Sequence, residues 1–168
     1  MENQKIRVPR KPVAAFGDIM KACAVHDERF VGIGRVIEMF KETGAKFSRR
    51  KFYREMETGE YKLARVVLSG TTEKPTVVRY RLSEILEILP ITEEERITAR
   101  AVMLSRLPVE IPVYQAAEVL DCSPSFIYDI TATEDQDKRL ANTGAEFGKK
   151  IFKKDLYQYV EDRTIEAE

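Results

Sequence analysis

Tryptophan is absent from the 168 residues, histidine occurs once and cysteine twice. Cys23 and Cys122 are too few for a disulfide framework, so a reducing cytoplasm is the expected compartment. Two cysteines and one histidine do not close a tetrahedral zinc site within one chain. No cofactor is expected. No apolar run approaches the roughly 20 residues that span a bilayer, and the first residues lack the apolar core of a signal peptide. A single histidine and no nucleophile constellation leave no credible enzyme. Net charge is missing too, because 28 Lys and Arg balance 28 Asp and Glu. What remains, 43% hydrophobic and 33% charged residues, fits a soluble folded chain of one domain or two small ones.

The zero net charge hides an asymmetry. Residues 1–90 hold 18 Lys and Arg against 12 Asp and Glu, a surplus of six. Residues 91–168 hold 10 against 16, an equal deficit. The first half suits a polyanion and the second does not.

The same pattern occurs twice along the chain. Ile33, Val36, Ile37 and Phe40 share the spacing of Val113, Ala116, Ala117 and Leu120, the stripe of an amphipathic helix. A serine follows each stripe, and Ser48 leads to Phe52-Tyr53 at the offsets by which Ser123 leads to Ile127-Tyr128. A serine there predicts an N-cap, and Pro124 suits the first helical position. The segment from Arg79 to Leu89 aligns ungapped with Lys150 to Val160, a basic strand running into a helix. Between second helix and strand, Leu63–Leu68 and Thr76–Arg81 predict a hairpin turning at Ser69–Thr72, and Asn142–Gly144 predicts the tip of its counterpart. The first inter-helix turn is about five residues longer than the second.

Each unit therefore reads helix, turn, helix, hairpin, helix. The expected fold is mainly α with small β-hairpin wings (α+β), in tandem winged helix-turn-helix domains. Residues 1–13 form a basic flexible arm with Lys5, Arg7, Arg10 and Lys11. The first domain covers 14–91, with an extra helix carrying Phe16, Ile19, Met20 and Cys23 on one face. Residues 92–111 form a connecting helix with Thr92 and Glu95 at capping-box spacing. Ile97, Ala101 and Leu104 are its expected packing stripe. The second domain covers 112–163.

Ser48-Arg49-Arg50-Lys51-Phe52-Tyr53-Arg54, running on to Gly59, resembles the Ser-x-x-x-x-Tyr recognition helix of the excisionase/MerR-type winged helix family. Val78–Ile85 resembles that family's wing return and final helix, and Val113–Leu120 its opening helix. Phage regulators of the AlpA type and small excisionases share the pattern, which covers most of residues 31–162. The resemblance implies a second helix in the major groove and a wing on the backbone or minor groove. Ser48, Arg49, Arg50, Lys51, Tyr53 and Arg54 would then face DNA, with Lys74, Arg79 and Arg81 on the wing. Arginine can pair bidentately with guanine, and lysine can neutralise phosphate.

The second copy departs from this chemistry. Its recognition helix offers only Ser123 and Ser125 as donors, and Asp129, Glu134 and Asp135 oppose phosphate. Its wing stays basic through Lys149, Lys150, Lys153 and Lys154. The expected function is sequence-specific double-stranded DNA binding for a mobile element, as transcriptional regulator or excisionase. The alternative is an adaptor whose acidic second domain binds a protein such as an integrase or polymerase subunit. Two units in one chain would act as a monomeric pseudo-dimer, or as part of a homodimer, on half-sites roughly 34 Å apart. Gly32-Ile33-Gly34 lacks the third glycine of a phosphate loop and reads as a helix entry. Cys23 and His26 have no second ligand pair.

Overall fold

A computed structural model describes residues 26–144 and 148–168. The arm over 1–13, the extra helix expected over 14–24 and Cys23 lie outside the described residues. The first unit runs through strand β1 (Phe30–Val31), helices α1 (Ile33–Glu42) and α2 (Arg49–Glu57), strands β2 (Arg65–Gly70) and β3 (Pro75–Arg81), and helix α3 (Leu82–Ile88). Helix α4 (Glu93–Met103) follows. The second unit runs through β4 (Glu110–Pro112), α5 (Val113–Val119), α6 (Pro124–Ala132), β5 (Lys150–Phe152), α7 (Lys153–Glu161) and β6 (Thr164–Ile165). The class is α+β, helices with two small antiparallel sheets.

Local chemistry starts the helices where the sequence indicates. The Ser48 side chain accepts the Lys51 N–H and that of Ser123 the Phe126 N–H, each at 3.2 Å. Each satisfies a donor that a helix start otherwise leaves orphaned, worth about 1 kcal/mol. Thr92 and Glu95 close a reciprocal capping box at 2.7 and 3.2 Å. Of the stripes, Val36 and Phe40 are buried with Ile33 and Ile37 half-buried, and Val113, Ala116, Ala117 and Leu120 are all buried.

The two units pair their strands in the same register. Val31 sits opposite Tyr80, and Ile111 sits opposite Ile151. Alignment of the repeat places Val31 with Ile111 and Tyr80 with Ile151, so corresponding residues share corresponding rungs.

The hairpin is the layer between the units. Its sheet has the order β1-β3-β2-β6, and strand alternation sends successive side chains to opposite faces. Val31, Val78 and Tyr80 join the core of the first unit with Phe40, Phe52 and Ile85. Phe30, Val66, Leu68 and Val77 join the core of the second with Ile111, Leu140 and Leu156. Each face of the hairpin packs on a core, the one toward the first unit through β3 alone. The chain passes from one core to the other between Leu104 and Leu107. A polar seam reinforces the junction. Asp27 Oδ2 accepts from the Leu107 N–H at 2.5 Å and from Lys153 Nζ at 3.0 Å, and the Tyr157 hydroxyl donates to Glu28 O at 2.7 Å.

Between α6 and β5 the described residues contain no strand, which corrects the expected second hairpin. Residues 133–144 are polar and lack period-two alternation, so they cannot offer a half-buried strand. Leu140 alone anchors them, fully buried, with its N–H on Ile130 O at 2.8 Å. Thr143 N–H still reaches Lys150 O at 3.0 Å, but the ladder partner of β5 is β4. The packing stripe of α4 is also shifted. Leu104 is buried as expected, but Ile97 and Ala101 are exposed, and Arg96, Ala99, Arg100 and Met103 lie inward. The long side chain of Arg96 reaches the C-terminal carbonyls of α3 and Ile91, with Nε on Leu86 O at 2.9 Å. That polar anchor overrides the apolar spacing.

Candidate nucleic-acid interface

Aromatic packing seats helix α2. Phe47, just before its cap, stacks on Phe40 of α1 with centroids 3.8 Å apart. Phe52, fully buried, meets the Tyr80 ring edge-on at 5.1 Å. Burial and the nearby Tyr53 phenol push the Tyr80 hydroxyl up to about 12. These contacts tie one side of α2 to α1 and to the hairpin, leaving the opposite side to solvent.

That outer side carries Arg49, Arg50, Tyr53 and Arg54, all exposed. Among the described residues none of the three arginines has an ion-pair partner. Lys51 differs. Its ammonium lies 5.6 Å above the Phe47 ring and 3.7 Å from the buried Glu55 carboxylate. Positions i, i+1, i+2 and i+5 of a helix span too wide an arc to share one face, so Lys51 turns toward the protein. Glu55 keeps its other oxygen buried without a hydrogen bond. With burial, its carboxylate raises the Tyr61 phenol well above the ordinary value.

A cleft of about 1000 Å³ opens between α2 and the hairpin. Arg49, Tyr53, Lys62, Arg65, Arg79 and the segment Ile165–Glu168 all line it. Lys62 and Arg65 add positive charge that the motif reading does not single out. The available signal was alternation in β2, which puts Arg65 opposite Tyr80 and away from Val66.

The expected wing residues meet different fates. Lys74 is exposed at the hairpin tip, where its N–H donates to Thr71 Oγ1 at 3.0 Å. Gly70, at φ 86°, permits the turn, because a Cβ there would collide with the Lys74 carbonyl. Arg79 is engaged inside the protein. Its guanidinium donates to Leu120 O at 2.8 Å and to Asp121 O at 2.6 Å, at the C-terminus of α5. Asp121, at φ 48°, returns a link by accepting the Gly32 N–H on Oδ2 at 2.9 Å. Arg81 is surrounded by carboxylates, with Glu166 at 2.8 Å, Glu84 at 3.2 Å and Glu161 at 3.8 Å. The Glu166 contact raises the Arg81 pKa and lowers that of Glu166.

In the second unit Ser123 and Ser125 are exposed, the former as cap. Lys149 donates to Thr131 Oγ1 at 3.2 Å and lies 5.8 Å from the centre of the Tyr128 ring. Lys150 lies 3.8 Å from Glu110, and Lys153 is tied to Asp27 in the seam. The exposed aromatic area here belongs to Tyr114, 64% exposed, and Tyr128, 47% exposed. Burial pushes the Cys122 thiol up to about 11.

Comparison with protein families, with curated proteins and with solved structures finds no match for the chain. Among the described residues, no helix is long and apolar enough to cross a membrane.

Proposed function

We propose that the chain is a non-enzymatic, sequence-specific double-stranded DNA-binding protein of tandem winged helix-turn-helix type. It acts in the cytoplasm for a mobile element, as a transcriptional regulator or an excision factor. The observation that carries this reading is the outer face of α2. Three arginines without ion-pair partners among the described residues stand on a helix whose other side is held by Phe47 and Phe52. A rigidly seated helix with free guanidinium groups supplies both charge for phosphate and bidentate donors for guanine. Lys74 and the cleft residues Lys62 and Arg65 extend the positive surface. Arg79, Arg81 and Lys153 serve the fold, and the reading does not use them.

A salt series of duplex binding, by fluorescence anisotropy on genomic and random fragments, tests the reading. Log affinity should fall linearly with log salt, each phosphate contact adding about 0.9 to the slope on B-DNA. Genomic fragments holding the operator should stand out above random ones. Absence of binding at low salt would overturn the reading. A neighbouring integrase gene would favour excision, and a divergent promoter would favour regulation.

The second unit supports an adaptor reading alongside this one. Tyr114 and Tyr128 are exposed aromatics, and the recognition-helix position beside Tyr128 carries the acidic Asp129; exposed tyrosines favour a protein contact, and a carboxylate there opposes phosphate. Replacing Tyr128 with Ala should then leave duplex affinity unchanged while impairing excision or regulation in cells.

A further inference from the structure

The cleft between α2 and the hairpin is shared with an acidic segment of the chain itself. After α7, Thr164 and Ile165 add to the free edge of β2, opposite Val66 and Arg65, and the Val67 N–H donates to Arg163 O at 2.9 Å. The next residues carry Glu166 and Glu168. Glu166 grips Arg81 through both oxygens, at 2.8 and 3.2 Å. Ile165, Glu166, Ala167 and Glu168 line the same cleft as Arg49, Lys62 and Arg65. Carboxylates thus line the same cleft as the cations that the DNA reading assigns to phosphate, while the ion pair that anchors them is with Arg81, which that reading does not use.

We propose that residues 164–168 are an acidic strap that competes with DNA for this cleft, so that duplex binding requires the strap to leave the β2 edge. The proposal rests on the DNA reading above. Two properties suit the segment to this role. A two-residue strand on a sheet edge has few rungs to break, and such peripheral elements open at low free-energy cost. Its hold combines the Glu166–Arg81 pair with the positive field of Arg49, Lys62 and Arg65 lining the same cleft, and a polyanion competes for that field. The strap raises the threshold for non-specific sites, because only a duplex with further contacts to α2 repays its release.

The test uses the full chain, the Glu166→Gln/Glu168→Gln double variant and a Glu94→Gln/Glu118→Gln control. The control changes net charge equally at exposed residues that do not line the cleft. Affinity for a random duplex is measured by anisotropy across a salt series, and amide exchange at Arg65 and Ile165, opposite each other on the β2–β6 edge, is followed with and without DNA. The strap variant should bind about fivefold tighter at low salt and the control less than about twofold. Arg65 and Ile165 should lose protection when DNA is added to the full chain. Equal gains in both variants, or Arg65 and Ile165 amides that stay protected on DNA, would overturn the strap while leaving the DNA reading intact. No binding by any of the three proteins would overturn the DNA reading, and the strap with it.

Discussion

Arg79 of β3 reaches across the unit boundary to cap helix α5, its guanidinium 2.6 Å from the carbonyl oxygen of Asp121. Asp121 in turn holds the Gly32 N–H at the entry of α1. The turn of one unit is thereby clamped to the opening helix of the other. A side chain that motif matching assigns to a DNA-contacting wing joins the two units.

Replacing Arg79 with Ala should therefore act on stability. It strips charged donors from the last carbonyls of α5 and should cost about 2 kcal/mol in urea unfolding. The slope of duplex affinity against salt should stay unchanged. A slope lower by about 0.9 with unchanged stability would instead make Arg79 a phosphate contact.

Arg50 gives the opposite pattern. Fully on the outer side of α2 and unpaired among the described residues, it should weaken specific binding by about 1–3 kcal/mol when replaced with Ala. Stability should scarcely move. Exposed Arg106 is the suitable control, whereas Arg100 packs inward and pairs with Glu87. Equal effects of Arg50 and Arg106 on binding would mean that α2 is not the reading helix.

The two units should unfold together. Val66 and Leu68 leave the first unit to enter the core of the second, so a fragment of residues 1–91 exposes them and lacks the Arg79 acceptors. Urea unfolding of the full chain should give one transition, coincident by tyrosine fluorescence and far-ultraviolet circular dichroism. Each half alone should lose its fixed packing, read as poor amide dispersion in NMR. Two separate transitions, or a well-dispersed spectrum from either half, would show independent domains.

Alkaline pH should destabilise the fold. Burial raises the phenols of Tyr61, Tyr80, Tyr157 and Tyr159, Tyr80 from 10.0 to about 12. A raised pKa means that the folded chain keeps protons which the unfolded chain releases. Stability is therefore complete below about pH 10 and falls as pH rises toward about 12, by an order of 2 kcal/mol from Tyr80 alone. Urea midpoints should drop across that window. Midpoints that stay level there would contradict the burial of these rings.

Much of the secondary structure was written locally. Ser48, Ser123 and the Thr92–Glu95 pair start helices because a capping oxygen needs only residues three positions away. The apolar stripes of α1 and α5, and the repeat that relates them, were legible for the same reason. They depend on spacing within one turn or two.

What the tertiary structure alone decided is where each charge is used. Arg79, Arg81 and Lys153 look like Arg50 in a sequence, yet they are bound to Asp121, Glu166 and Asp27, residues 42 to 126 positions distant. That both faces of the hairpin pack on a core was equally illegible, because the alternation of β2 and β3 shows that faces differ and not what covers each. The polar stretch after α6 makes no strand among the described residues, because it lacks the alternating apolar positions that β2 buries against the second core. Spacing within a chain fixes the phase of a helix or strand; only the packed neighbour fixes whether a guanidinium is free for phosphate or already holds a carbonyl.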